Sequence, residues 1–187
     1  MSNKIFSGIN ELPSGEASDK ITEGCLVLEG GAFRGVYGEG VLDALMEEGI
    51  NLSCTIGVSA GAMNGLNYVS GQIGRSARFN LRYRHDQHYV GLPAVRNNGG
   101  LIGFDFAFEE YDKIDPLNKE RFYDPKRRFL AVATNILTGK PEYFDRDTCS
   151  DIMRAIRASA SSRDCPRVSA IRRTCASCPE TSAIIIS

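Results

Sequence analysis

Within the first seventy residues, an apolar run ending in a glycine-containing turn and followed by a helical period occurs twice. That repetition is what most limits the fold. Gly24–Glu29 (GCLVLE) is short, apolar and bounded by glycines, as a buried strand is. The turn Gly30–Gly35 (GGAFRG) leaves it, and a helix is expected from Val36 to about Glu48. Val41, Leu42, Leu45 and Met46 are expected on its apolar face, with Glu39, Asp43 and Glu47 on the other. Gly49 stands where a C-terminal cap belongs. A second strand, roughly Ser53–Gly57, runs through GVSAG into a helix from Ala60 to about Val69. Strand, helix, strand, helix in succession implies parallel strands joined by a right-handed crossover, and so an α/β fold.

The second turn carries chemistry. Gly57-Val58-Ser59-Ala60-Gly61 matches G-x-S-x-G, the pattern of a serine nucleophile projecting from a sharp strand-to-helix turn. Side chains two residues to either side would collide there, hence Gly57 and Gly61. The helix that follows aims unpaired N–H groups and its positive dipole end at the reacting carbonyl. The first turn is its complement. Small residues after a buried strand let consecutive backbone N–H groups converge on one oxyanion, which assigns Gly30, Gly31, Ala32, Arg34 and Gly35 to an oxyanion turn. A plain tight turn and a phosphate-binding turn are the alternatives. The dinucleotide pattern fails at Ala32, and no Gly-Lys-Ser/Thr follows to make a P-loop. Arg34 either complements surface carboxylates, or holds the turn or meets a phosphate headgroup. The only histidines, His85 and His88, lie in a polar HDQH stretch and read as exposed loop residues. No later histidine can complete a triad in the Ser, Asp/Glu, His order.

Beyond the second helix the pattern is looser. Gln72–Arg84 is a basic helical stretch, and 85–125 reads as loops and short helices over the sheet. Arg128–Asn135 is a further strand, with Glu142–Phe144 pairing to it after the Thr138-Gly139 turn. Thr148 with Asp151 forms a capping box opening a helix whose apolar face is Ile152, Met153 and Ile156. The net charge of −1 gives no field toward nucleic acid. No N-terminal apolar stretch reads as a signal peptide and no run is long enough to span a bilayer, so a cytoplasmic protein is expected. Cys25 and Cys54 are expected to be inert core residues, and Cys175-x-x-Cys178 is half of a metal or redox motif without its second half. No His, Asp and Glu cluster has metal-ligand spacing, and no cofactor is expected.

Three zones follow: a flexible arm over 1–20, a body over 21–160, and a tail over 161–187. The tail holds three Cys, four Arg and six Ser but no Gly, Leu, Lys, Phe, Tyr, Asn or Gln. It reads either as a disordered segment or as translation in a wrong frame, and the composition favours the second.

Together the two turns resemble those of the patatin-like phospholipase family, in which G-G-G-x-R/K-G follows the first strand and G-x-S-x-G the second. GVSAGAMNGLNYVSGQ, RRFLAVATNILTGKPEYF and IMRAIRASAS extend the resemblance over roughly 24–160. It implies a three-layer α/β sandwich with a mainly parallel central sheet and a Ser–Asp dyad that cleaves acyl esters of lipids. By position, Ser59 is the nucleophile and Gly30, Gly31, Ala32, Arg34 and Gly35 the oxyanion turn, with Ala32 in place of a glycine. The family's aspartate lies in Asp-Gly-Gly/Ala, some way after a segment like Arg157-Ala158-Ser159-Ala160. This sequence contains no Asp-Gly dipeptide, and its only acids after Ser161 are Asp164 and Glu180. The domain is therefore expected to be incomplete and inactive, with its C-terminal part missing. An intact esterase using Asp164, and a non-catalytic lipid-binding or regulatory remnant, are the competing readings. The implied partners are a lipid or acyl ester and a transient membrane surface, with no nucleic acid.

Overall fold

The computed structural model describes residues 5–91, 94, 102–135 and 137–161, and the backbone of 170–172 and 182–186. Its elements are β1 (Gly15–Glu16), β2 (Thr22–Leu28), α1 (Gly35–Glu47), β3 (Leu52–Val58), α2 (Ala60–Ser70), β4 (Gln72–Ile73) and α3 (Arg75–Tyr83). A π-helical turn at Phe106–Glu110 leads into α4 (Tyr111–Ile114) and α5 (Lys119–Phe122). Then come β5 (Arg128–Asn135), β6 (Pro141–Asp145), α6 (Ile152–Ala160), β7 (Ala170–Arg172) and β8 (Ser182–Ile186).

The four-strand body of the sheet (β2, β3, β5 and β6) is mainly parallel, as the βαβα pattern requires. β2 pairs with β3, and β3 with β5, both parallel, while β6 runs antiparallel to β5. β8 meets the end of β5 at Thr134 and Asn135 and pairs antiparallel with β7. The rest of the tail, including Asp164, Glu180 and the Cys175-x-x-Cys178 pair, lies outside the described residues.

One sheet face makes the main core. Phe129, Ala131 and Ala133 of β5 pack against Ala62, Leu66 and Val69 of α2 and Ala155, Ile156 and Ala158 of α6. A second cluster joins Leu42 and Met46 of α1 to Tyr68 of α2 and Ile73 of β4. An aromatic cluster of Phe79, Tyr89, Phe106 and Tyr111 closes the α3 side.

Four expectations change. The buried stripe of α1 is Glu39, Leu42, Asp43 and Met46, while Val41 is exposed. Two carboxylates turn inward because α2 and α3 both pack on α1 and offer polar partners, such as Gly74 N, which donates to Asp43 Oδ1 at 2.7 Å. Cys25 is exposed rather than core, because it lies on the outermost parallel strand with only Cys54 beside it. The cap of α6 is Asp151, which accepts from Arg154 N at 3.0 Å; Thr148 instead closes the turn after β6 by donating to Asp145 O. The arm is docked at 15–18. β1 pairs with β4, Ala17 is buried, and Ala17 N donates to Gly71 O at 2.8 Å.

Candidate active site

Ser59 sits between β3 and α2 with φ 54° and ψ −122°. These are the angles of the first corner of a type II′ turn, a conformation that favours glycine. The β3 backbone reaches this turn extended and α2 starts at once, so the strain falls on Ser59. The flanking glycines are dictated by contact. A Cβ at Gly57 would lie 2.5 Å from Ala62 Cα, and one at Gly61 2.4 Å from Leu28 O. No side chain fits either place.

The Gly30–Gly35 turn stands directly against Ser59. A Cβ at Gly30 would lie 3.0 Å from Ser59 Cβ and 3.7 Å from Ser59 Oγ. Gly35 is pressed against the start of α2, where its Cβ would lie 3.1 Å from Ala60 Cβ, and Asn64 Nδ2 donates to Gly35 O at 3.0 Å. Ala32 has φ 47°, a left-handed value that explains why glycine suits its place. Arg34 folds back along the turn, with its Nε 3.4 Å from where a Gly31 Cβ would be. The glycine-rich turn, the elbow glycines and Ser59 are thus brought together.

Two residues without a role in the sequence reading complete the frame. Ser59 N donates to Ser159 Oγ at 2.7 Å, and Ser159 Oγ donates to Val132 O at 2.5 Å. The elbow is thereby tied through a buried hydroxyl to β5, and the Ser59 N–H is not free for an oxyanion. Asn64 is the second, clamping the glycine-rich turn to α2. Ser159 lies 100 residues from Ser59, so only the folded chain shows the link.

Ser59 opens on a cavity of about 80 Å³, also lined by Ala32, Phe33, Met63, Tyr89 and Phe104. Glu39 is its one acidic lining residue among the described residues. A second cavity of about 490 Å³ shares Met63, Asn64 and Asn80 with it and is lined beyond them by Phe79, Phe108 and Arg154. His85 and His88 are exposed, with His88 Nδ1 3.0 Å from Asp86 Oδ1, and neither lines the Ser59 cavity. Among the described residues Ser59 Oγ has no hydrogen-bond partner, and no group of three or more His, Cys, Asp or Glu side chains is placed to hold a metal.

A parallel-stranded α/β sheet with a serine elbow facing a glycine-rich turn defines a serine-hydrolase-type scaffold. The sequence profile described as patatin-like phospholipase matches residues 26–162, and the chain belongs to that family. It is 30% identical over 140 residues to the uncharacterized protein YjjU of Escherichia coli (strain K12), a match covering 73% of this chain and 39% of that protein. It is also 30% identical over 155 residues to the probable lipid hydrolase 463L of Invertebrate iridescent virus 6, covering 72% of this chain and 52% of the viral one. The match thus spans about half or less of the length of these relatives. Among solved structures, VipD from Legionella pneumophila aligns over 93% of this chain and 46% of its own, with a TM-score of 0.47 and 16% identity.

Proposed function

We propose that this chain is the nucleophile-bearing part of a serine lipid acyl hydrolase of phospholipase A or esterase type. The observation that carries this reading is Ser59 held at φ 54° against Gly30. Strain of this kind costs on the order of 1–3 kcal/mol and persists at functional sites. In the reaction, Ser59 Oγ adds to the acyl carbonyl. The developing oxyanion is received by N–H groups of the Gly30–Gly35 turn and the first turn of α2. The hydroxyl proton must pass to a base, which the family resemblance assigns to an aspartate in an Asp-Gly turn. No such dipeptide exists in this sequence, so the chain as written should be a poor catalyst, left with oxyanion stabilisation alone. The probable lipid hydrolase relative supports a lipid ester as substrate, and contact with a membrane surface by a cytoplasmic protein belongs to the same reading. No described helix is long and apolar enough to cross a membrane.

A second reading, lipid binding without turnover, rests on the largely apolar lining of the Ser59 cavity, including Phe33, Met63 and Phe104. A fluorophosphonate probe and p-nitrophenyl butyrate separate the two. Labelling at Ser59, with slow hydrolysis abolished by Ser59→Ala and unchanged by EDTA, supports the hydrolase. Hydrolysis that survives Ser59→Ala moves the chemistry elsewhere, and lipid binding with no labelling favours the second reading.

A further inference from the structure

Of the residues that line the Ser59 cavity, Ala32 and Phe33 are the exposed ones, so they mark its rim. Phe33 meets the buried Tyr89 ring edge-on, with centroids 6.1 Å apart, and is still 39% exposed. Ala32–Arg34 is a short 3-10 helix that runs directly into α1. Phe33 therefore stands about one turn ahead of Tyr37, and Tyr37 one turn ahead of Val41. Tyr37 is 83% exposed and Val41 45%. With Gly40 and Ala44 these two line a shallow groove along the outside of α1. Singly scattered apolar residues on a surface are ordinary, but an apolar strip that begins at the rim of a site is not.

We infer that the strip Phe33–Tyr37–Val41 is the face by which the chain rests on a lipid surface, with the mouth of the Ser59 cavity turned toward that surface. The inference rests on Ser59 being the reacting centre, since that makes the mouth the place where an ester enters. Position selects the partner. A protein could seat on any apolar strip, wherever Ser59 lay. An amphiphile presents its ester at the boundary of the bilayer, so a face that contacts lipid has to adjoin the mouth, and Phe33 belongs to both. Charge agrees with this choice. Arg34, next to Phe33 and exposed, has no carboxylate partner among the described residues and can meet the phosphate of a headgroup. The groove reaches a carboxylate at Glu48, at the end of α1 away from Ser59. An amphipathic aromatic such as Tyr37 suits the headgroup boundary, with its ring in the apolar layer and its hydroxyl in water.

Vesicle flotation tests the face, because aggregated protein does not float. The unaltered chain is expected to float with vesicles of equimolar phosphatidylcholine and phosphatidylglycerol. Tyr37→Gln combined with Val41→Gln should lower vesicle affinity about tenfold, the effect of withdrawing part of two apolar side chains from lipid. Both positions face solvent, so the thermal midpoint should remain that of the parent. Tyr143→Gln is the control. Tyr143 is 53% exposed on the sheet face away from α1, and its replacement should leave flotation unchanged. No flotation of the parent, flotation unchanged in the double variant, or a loss shared by Tyr143→Gln would each overturn the inference. So would a dimer abolished by the double substitution in a chain that binds no vesicles, which would give the strip to a second copy. Fluorophosphonate labelling in free solution reads the role of Ser59 separately, and the double variant should label at the parent's rate. A labelled chain that does not float sinks the lipid face alone. Flotation that depends on Tyr37 and Val41 without labelling supports the face and sinks the hydrolase.

Discussion

Two non-glycine residues of the site have left-handed φ values, Ser59 at 54° and Ala32 at 47°. Ser59 cannot be relieved without losing the proposed nucleophile, whereas Ala32 can. Ala32→Gly removes the Cβ clash of that conformation and is expected to stabilise the protein by about 1 kcal/mol, read as a higher urea midpoint at unchanged slope. A lower midpoint would show that Ala32 is held without strain. Glu39 gives a pH signature at the same scale. Its carboxyl is lifted by burial from 4.5 to about 7 in the folded protein. Between those values the folded state holds a proton that the unfolded state has lost, so stability falls as pH rises through this window. The full effect is on the order of 3 kcal/mol. Glu39→Gln does not titrate, so its stability relative to the parent should rise by that amount between pH 4 and pH 8. A pH-independent difference would mean that the Glu39 carboxyl titrates alike in both states.

At the scale of elements, the site depends on how α2 is fixed. Its first turn is held through Ser159 and Asn64, and its last turn by Arg127, which is 2% exposed. Arg127 Nη1 donates to Tyr68 O at 2.8 Å and Val69 O at 3.2 Å, its Nε donates to Leu52 O, and its guanidinium lies over the Tyr68 ring. Among the described residues no carboxylate pairs with it. A cation at a helix C-terminus is supported by the helix dipole and by the orphan carbonyls it satisfies. Arg127→Met keeps most of the volume but takes one donor from each of Leu52 O, Tyr68 O and Val69 O, of which Tyr68 O keeps Gly71 N, and should destabilise by about 3 kcal/mol, read by urea unfolding. A loss below about 1 kcal/mol would show that α2 is held by its apolar packing alone. Helix α2 itself was legible in the sequence, as were β5, β6 and the two turns, because apolar period and glycine placement are local signals. Arg127 and Ser159 were not, because the partners of Arg127 lie 58–75 residues away and those of Ser159 27 and 100. The inward Glu39 and Asp43 were misread for a related reason. Helical period alone sorts residues by polarity, whereas burial on α1 is decided by the polar groups of α3 and of Gly74 that meet it.

For the whole molecule, the open question is how the sheet ends. β2 is hydrogen-bonded to β3 on one side, and no other described strand pairs with it. The register Val27↔Ile56↔Leu130 places these three side chains on the sheet face opposite the main core, and Val27 is 71% exposed. Elsewhere on the surface, Tyr37 and Val41 of α1 are exposed apolar groups of their own. A free strand edge with an apolar row is a template for pairing with another chain, and natural edges are blunted by a charge, most often lysine. Val27→Lys supplies that charge where the side chain already faces solvent, so folding should lose no more than about 0.5 kcal/mol. Association should fall, because a like charge would then be repeated at each edge brought together. The expected result is a larger monomer fraction by light scattering at equal concentration, with the thermal midpoint of unfolding within about 2 °C of the parent. Unchanged association would place self-contact elsewhere, with the Tyr37 and Val41 side of α1 next to be altered. A steep loss of stability would mean that Val27 is covered in solution and that the β2 edge is not free.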